Sequence, residues 1–211
     1  MIPTPDLLHE SPLWECGLTR LAGLDEAGRG ALAGPVAAAA VILPHDHPGL
    51  IEALRGLRDS KLLTPFQRAR LAPRIQACAL AWGVGFASAA EIDSFGIVPA
   101  TRLAALRALE ILGPLPDYLL TDFRLELPET GLPQTSLVKG DQRCLSIAAA
   151  SVLAKTARDA LLCGFEDEYP GYGLARHKGY GTRLHREAIA RLGYSEIHRR
   201  SFVVKQLMTG G

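Results

Sequence analysis

Two apolar segments, residues 21–25 and 36–43, lie close together in the chain and are separated by the glycine-rich sequence AGRGALAGP. Their composition predicts two β-strands joined by an irregular turn region. A third strand is predicted at residues 82–87, where two glycines indicate close packing or a bulge. Because these strands precede segments in which helices and strands alternate, the sequence predicts an α/β fold with a mixed sheet.

A helix start is indicated at Thr64, which is followed by Pro65 and by Gln67 at the third helical position. This pattern predicts a capping box and a helix that runs toward residue 80, with a kink or break at Pro73. The remaining predicted elements are a helix at 99–112, strands at 118–121 and 132–138, a long helix from residue 141 and short helices after residue 171.

The composition excludes several classes of protein. With 211 residues, of which 48% are hydrophobic and 21% charged, the chain is typical of one large globular domain with a small appendage. The longest weakly polar run, residues 30–43, is too short to span a membrane. No secretory signal is recognised. The cysteines form no C-x-x-C pair, which favours reduced, mostly buried thiols in a cytoplasmic protein; they are Cys16, Cys78, Cys144 and Cys163.

The net charge of +1 hides an uneven distribution. Residues 176–211 contain eight basic and two acidic residues, a net charge of +6, whereas the first 175 residues have a net charge of −5. A basic C-terminal part beside an acidic body fits a polyanion that approaches an acid-containing site. A solvated basic helix explains the count equally well. The basic residues are Arg176, Lys178, Arg183, Arg186, Arg191, Arg199, Arg200 and Lys205.

Four acidic residues lie where predicted elements end beside a glycine or a loop: Asp25, Glu26, Asp122 and Asp141. Hard divalent cations take carboxylate oxygens, and two such ions can hold the attacking water and the leaving oxygen of a phosphodiester. The alternative is that each aspartate only caps a turn. Neighbours in a regular strand point to opposite faces, so Asp25 and Glu26 reach one metal site only where the strand ends or bulges.

Two other kinds of ligand site are not favoured. Residues 28–33 match the dinucleotide pattern G-x-G-x-x-A, but the following VAAAAVIL predicts a strand where that motif requires a helix. The two acids before this loop would also repel a pyrophosphate. His177, His185 and His198 have irregular spacing and no neighbouring cysteines, which argues against zinc.

Several motifs occur in a fixed order and resemble ribonuclease HII, the type 2 ribonuclease H of bacteria. The resemblance extends from about residue 21 to residue 205. The motifs are GLDEAGRGALAGPVAAAAVIL, DSKLLT at 59–64, EIDSFGI at 91–97, the aspartate of LLTDF, VKGD…SIAAASVLAKTARD at 138–159, YPGYGLARHKGYGT at 169–182 and IHRRSF at 197–202.

The resemblance implies a ribonuclease H-like α/β fold, with a mixed five-stranded sheet flanked by helices. It implies a catalytic core at residues 17–170, a basic helical C-terminal extension at 171–211 and a loose N-terminal segment at 1–16. The implied activity is metal-dependent hydrolysis of the RNA strand of RNA–DNA hybrids, including incision at single ribonucleotides in duplex DNA. A non-catalytic module that binds RNA–DNA hybrids is the alternative. No membrane or obligate protein partner is indicated, and a monomer is expected.

The metal-binding residues of the family correspond to Asp25, Glu26, Asp122 and Asp141, with Mg²⁺ or Mn²⁺ as the cofactor. Asp25 is the expected bridging ligand, and the two-metal mechanism gives 5′-phosphate and 3′-hydroxyl products. One departure is visible: the family usually has glycine after the third acid, whereas this chain has Phe123.

The remaining site predictions concern the nucleic acid. Ser151, Lys155 and Arg158 share one face of the predicted long helix and form a candidate phosphate-contacting stripe, with a solvated face as the alternative. Ser60 and Lys61 are candidate phosphate ligands, or simply a polar turn.

The resemblance also identifies a candidate sensor of the ribose 2′-hydroxyl, the group that distinguishes RNA from DNA. It consists of Tyr180 and the loop Gly28-Arg29-Gly30. The alternative is that Tyr180 packs against the core and the glycines only form a turn.

Overall fold

The computed structural model describes residues 4–123 and 125–202. It contains five strands: β1 (Leu21–Ala27), β2 (Val36–Ile42), β3 (Ala81–Ala87), β4 (Tyr118–Asp122) and β5 (Gln134–Leu137). They form one sheet in the order β3-β2-β1-β4-β5. The pairs β1–β2 and β2–β3 are antiparallel, whereas β1–β4 and β4–β5 are parallel. The predicted mixed five-stranded sheet is therefore confirmed.

Eight α-helices surround the sheet in the described ranges. They are α1 (Ser11–Glu15), α2 (Leu50–Ala53), α3 (Pro65–Cys78), α4 (Ala89–Phe95), α5 (Ile97–Glu110), α6 (Leu145–Glu168), α7 (Leu174–His177) and α8 (Arg183–Leu192). Short 3₁₀ turns occur at Ser60–Leu62, Pro128–Thr130 and Gly140–Gln142. None of the helices described is long and apolar enough to cross a membrane.

Helices α5 and α6 cover opposite faces of the sheet. In β2, Ala39 and Val41 pack into the cluster that includes α6, whereas Ala38 and Ala40 pack into the cluster that includes α5. This alternation explains why every residue of β2 is buried. The central strand is thus apolar along its whole length, as the sequence VAAAAVI indicates.

Glycines allow both helices to approach the sheet closely. A Cβ atom at Gly23 of β1 would lie 2.3 Å from the Ser146 carbonyl carbon of α6. Cβ atoms at Gly83 and Gly85 of β3 would lie 2.3 and 2.1 Å from backbone oxygens of α5. The close packing predicted for residues 82–87 is confirmed, and α6 is held against the strand that carries Asp25.

Helix α3 begins as predicted. Thr64 accepts a hydrogen bond from the Gln67 backbone, and the Gln67 side chain accepts one from the Thr64 backbone, which completes a capping box. The predicted break at Pro73 does not occur, because Pro73 lies inside a helix that continues to Cys78. The long helix predicted from residue 141 begins four residues later, after the 3₁₀ turn Gly140–Gln142.

The N-terminal segment is not loose where it is described. Glu10 is fully buried, and its Oε1 atom accepts hydrogen bonds from the Ser146 N–H and hydroxyl, each at 2.8 Å. Glu10 therefore satisfies a free backbone donor at the start of α6, where a negative charge is favourable. The four cysteines are free, but only Cys144 is buried, so the expectation of mostly buried thiols is wrong.

Candidate active site

Three of the four predicted acids lie at one edge of the sheet. The parallel register of β1 and β4 places Asp25 beside Asp122. Strand β5 then leads into the turn Gly140–Gln142, which contains Asp141. The Gly140 N–H donates to Asp122 Oδ1 at 2.7 Å and fixes this turn against the end of β4. Residues far apart in the chain therefore form one acidic cluster.

Asp25 is the most deeply buried member of the acidic cluster, with 2% exposure. Its Oδ1 atom accepts a hydrogen bond from the Glu26 N–H at 2.7 Å, whereas its buried Oδ2 atom has no hydrogen-bond partner. Burial, followed by the negative charges of Glu26 and Asp122, raises the pKa of Asp25 well above its usual range. The site therefore favours a positive group beside this carboxylate.

Glu26 differs from its neighbour because β1 continues to Ala27 instead of ending at Asp25. Consecutive strand residues alternate between faces, so the two acidic side chains leave the backbone in opposite directions. Glu26 Oε1 accepts a hydrogen bond from Arg29 at 3.2 Å, and the buried Oε2 atom has no hydrogen-bond partner. Burial raises the pKa of Glu26, although Arg29 opposes the shift.

Lys61 lies at the entrance to the acidic cluster. Its Nζ atom is 3.7 Å from Asp141 Oδ2, and 69% of its side chain is exposed. Burial raises the pKa of Asp141 to about 6, helped by the charges of Asp59 and Asp122. Burial alone would lower the pKa of Lys61, but the nearby carboxylates, led by Asp25, outweigh it and raise that pKa. Lys61 therefore remains a cation at the mouth of the site.

The residues present fit a hard divalent cation. In the part of the chain that the structure describes, no group of three or more Asp, Glu, His or Cys side chains is already arranged to hold a metal ion. The carboxylates are engaged instead with backbone N–H groups, Arg29 and Lys61. Two buried carboxylate oxygens, on Asp25 and Glu26, nevertheless lack a protein donor. Carboxylate oxygens are the ligands that Mg²⁺ and Mn²⁺ prefer.

Two residues near the acids differ from the sequence expectation. Phe123 is 48% exposed, so its ring does not fill the core beside Asp122. Asp59 was not predicted as a site residue, yet it is buried. Its carboxylate accepts hydrogen bonds from the Lys61 N–H at 2.9 Å and from Gln142 at 3.4 Å. Its place directly before the predicted phosphate ligands was the available signal.

The predicted phosphate contacts have different environments. Ser60 and Ser151 are buried, and the Ser151 hydroxyl donates to Ser60 Oγ at 2.8 Å, which attaches the 60–62 turn to α6. Lys155 forms an ion pair with Asp159 at 2.7 Å. Lys61 is exposed, so it is the residue of this set that is best placed to meet a phosphate.

Arg158 does not contact solvent, and the phosphate contact predicted for it is wrong. Both Arg158 and Arg199 are fully buried. Their donors lie 2.8–3.0 Å from carbonyls of the glycine loop, residues 28–35, and of the turn at Lys178. Arg199 therefore does not grip a duplex either, although Arg200 stays exposed. Lys205 lies outside the described residues. The five carbonyls belong to Arg29, Ala33, Gly34, Pro35 and Lys178.

The structure brings Tyr180 to the glycine loop. Tyr180 forms an antiparallel bridge with Ala31, and its half-buried ring packs near Lys155 Nζ at 5.2 Å and Arg158 Cζ at 5.4 Å. Gly28 has φ +90°, and a Cβ atom there would lie 1.9 Å from Arg158 Nε, so only glycine fits. The two parts of the candidate sensor are therefore neighbours.

Three histidines with irregular sequence spacing converge behind this loop. The rings of His177 and His185 stack at 4.3 Å, and the Nε2 atoms of His185 and His198 are 3.1 Å apart. Their other ring nitrogens contact protein groups, including the Tyr180 carbonyl at 3.0 Å from His185 Nδ1. The histidine cluster thus joins the C-terminal segment to the turn that carries Tyr180.

Acidification is expected to destabilise the protein through this histidine cluster. Burial lowers the pKa of His185 and of His198 to about 4, so the unfolded chain takes up protons first as the pH falls below about 6.5. Each such histidine is expected to cost about 2 kcal/mol of unfolding free energy between pH 7 and pH 5. Urea unfolding at both pH values measures this loss.

The buried acids act in the opposite direction, because their raised pKa values favour the folded state at low pH. The informative comparison is therefore between the wild type and His198→Gln. The variant is expected to lose less stability between pH 7 and pH 5. Equal losses in both proteins would contradict the assignment.

Comparisons with known proteins agree with the resemblance seen in the sequence. A family model described as Ribonuclease HII matches residues 22–205. Ribonuclease HII of Dehalococcoides mccartyi is 52% identical over 198 residues, which cover 94% of this chain and 92% of that protein. Ribonuclease HII of Moorella thermoacetica is 54% identical over 193 residues, which cover 92% of this chain and 91% of that protein.

Solved structures show the same fold. The ribonuclease H2 of Pyrococcus horikoshii OT3 has a TM-score of 0.73 and 26% identity, covering 87% of this chain and 93% of that one. RNase HII in the PCNA:RNase HII complex from Archaeoglobus fulgidus has a TM-score of 0.75 and 26% identity, covering 90% and 98%. The expected ribonuclease H-like fold is confirmed. The chain belongs to the ribonuclease HII family and is an endoribonuclease.

Proposed function

We propose that this ribonuclease hydrolyses the RNA strand of RNA–DNA hybrids and also incises duplex DNA at single embedded ribonucleotides. The products are 5′-phosphate and 3′-hydroxyl ends, and the cofactor is Mg²⁺ or Mn²⁺. The observation that carries this proposal is the buried acidic cluster, in which oxygens of Asp25 and Glu26 lack any protein donor. Such uncompensated buried carboxylates are costly unless a positive partner is supplied.

Asp25, Glu26, Asp122 and Asp141 are the residues that would hold the cation. Divalent cations bound there supply an activated water and stabilise the departing 3′ oxygen. The protein keeps Asp25 and Asp141 out of water, which strengthens their attraction for a cation. The Gly140 N–H orients Asp122, and Lys61 offers a positive charge to a phosphate entering the site.

Recognition of the ribonucleotide is assigned to the glycine loop and Tyr180. The backbone at Gly30 is exposed, and a Cβ atom there would meet nothing within 4 Å, so a sugar could approach it closely. Tyr180 presents an aromatic ring beside this loop. Arg158 and Arg199 hold the loop by its carbonyls and act as positioning residues, since they are buried and do not reach a substrate.

The proposal is tested with three duplexes: an RNA–DNA hybrid, a DNA duplex with one ribonucleotide, and the same duplex without it. With Mg²⁺ or Mn²⁺ the first two are expected to be cut and the third left intact, and chelator stops cleavage. End-labelling with a kinase and a phosphatase identifies the termini. Binding without cleavage under every metal condition would support the non-catalytic module instead. Cutting of the all-DNA duplex would refute the assigned selectivity.

A further inference from the structure

A second basic segment lies far from the C-terminal extension. Residues 55–74 contain six basic residues and one acidic residue, a net charge of +5, although the first 175 residues together carry −5. Most of the surface that precedes the extension is therefore acidic, and this segment is a local exception. One of the six, Arg68, is buried and paired with Asp159 at 3.0 Å, so it serves the fold.

Four of the remaining arginines line a groove between the end of α2 and helix α3. The groove has a volume of about 230 Å³, and Leu63 and Leu71 also contribute to its walls. We call it the arginine groove and define it by its charged residues, Arg55, Arg58, Arg70 and Arg74.

The four arginines are committed to the protein to different degrees. Arg74 donates to the backbone oxygens of Arg55 at 3.3 Å and of Glu52 at 3.5 Å, so it shapes the wall of the groove. Arg55 pairs with Glu52 at 3.3 Å, but both side chains are more than 70% exposed, and such a pair is weak.

Arg58 and Arg70 provide the charge that is left over. Among the residues described, neither guanidinium has a hydrogen bond or an ion pair, and Arg70 only lies over the Phe66 ring at 5.8 Å. Glu52 and Asp59 are the acids nearest in sequence to these arginines. Glu52 is engaged by Arg55, and Asp59 accepts hydrogen bonds from Lys61 and Gln142.

The arginine groove is continuous with the active site. Arg58 and Lys61 are three residues apart, so their Cα atoms lie within about 10 Å of each other. The turn between them is rigid, because buried Arg68 donates to the carbonyl oxygens of Ser60 at 3.0 Å and of Leu63 at 2.6 Å. Positive charge therefore extends along one fixed element from the groove to Lys61, which lies beside Asp141.

We propose that the arginine groove binds the phosphodiester backbone of the duplex on one side of the scissile nucleotide. The inference rests on the proposed function for the identity of the duplex. Guanidinium groups suit phosphate because their planar donors pair with two oxygens at once. The backbone also presents a charge every 3.4 Å along each strand. A row of cations leading away from the active site therefore matches a strand better than a single small anion.

The test compares Arg58→Gln/Arg70→Gln with the control Arg20→Gln/Arg102→Gln. Arg20 precedes β1 at the end of the sheet opposite Asp25, and Arg102 lies on α5, on the other face. Affinity for a hybrid and for an all-DNA duplex is measured in chelator between 50 and 200 mM salt. The groove variant is expected to bind about tenfold more weakly at the lower salt. Its slope of log affinity against log salt should fall by nearly 2, about 0.9 for each lost phosphate contact.

Three outcomes separate the claims. If the groove variant and the control show the same slope, the arginine groove does not bind the duplex. If pyrophosphate binds the wild type and not the groove variant, while the duplex slope is unchanged, the groove binds a small anion and the proposal is overturned. If the wild type fails to cleave the hybrid but the slope still changes as expected, the groove is supported and the proposed function fails.

Discussion

The substitution Asp25→Asn is expected to abolish cleavage and to raise the stability of the metal-free protein. Asp25 is buried beside Glu26 and Asp122, and one of its oxygens has no donor, so its negative charge opposes folding. Asparagine keeps the shape and removes the charge. Loss of a metal ligand is expected to reduce turnover by about 10³-fold or more, which corresponds to about 4 kcal/mol.

Thermal unfolding in chelator measures the stability gain, with about 3 °C expected for each kcal/mol in a chain of this size. Asp117→Asn is the matched control, because Asp117 lies at the other end of the sheet and pairs with Arg20. That pairing lowers the pKa of Asp117, mainly through the Arg20 hydrogen bond. The control is expected to keep its activity and gain no stability. Normal turnover by Asp25→Asn in saturating Mn²⁺, or a lower melting temperature, would contradict the assignment.

Duplex affinity provides a second readout for Asp25→Asn. The substitution removes no phosphate donor, so binding to a hybrid in chelator is expected to match that of the wild type. Removal of a buried negative charge could only favour a polyanion. Weaker binding would show that Asp25 also supports the shape of the nucleic-acid surface.

Local sequence patterns predicted the elements that carry the acids. Strand β2 was predicted from an uninterrupted apolar run, and α3 from the capping residues Thr64 and Gln67. The acids were found because they stand where strands meet glycines or loops. Their convergence depends on the parallel register of β1 with β4, which brings together residues almost 100 positions apart. Element-end position was therefore a useful signal even without knowledge of the sheet order.

The roles of the buried arginines could not be predicted in the same way. Arg158 shares a helix face with Ser151 and Lys155, a spacing that fits a phosphate-contacting stripe and a buried anchor equally well. Its carbonyl partners at Ala33 and Pro35 lie more than 120 residues away. A count of charges cannot distinguish an arginine that meets water from one that holds a loop.

The substitution Tyr180→Ala is expected to reduce incision at a single ribonucleotide in DNA far more than it reduces stability or duplex affinity. The ring lies beside the glycine loop and over Lys155 and Arg158, where it can stack on a sugar. Stacking of this kind is worth about 1–3 kcal/mol, which corresponds to a loss of about 5- to 150-fold. Single-turnover rates on the embedded ribonucleotide, measured beside melting temperature and affinity, give the comparison.

Tyr180→Phe is the control, because it keeps the ring and removes only the hydroxyl. If the ring face acts on the sugar that follows the ribonucleotide, Tyr180→Phe retains most of the activity and Tyr180→Ala does not. A continuous RNA strand has a hydroxyl on that sugar, so cleavage of an RNA–DNA hybrid is expected to be less sensitive to Tyr180→Ala than incision at an isolated ribonucleotide. Equal loss of stability and activity would instead assign Tyr180 to packing against the cations of α6, since a packing defect has no reason to distinguish one duplex from another.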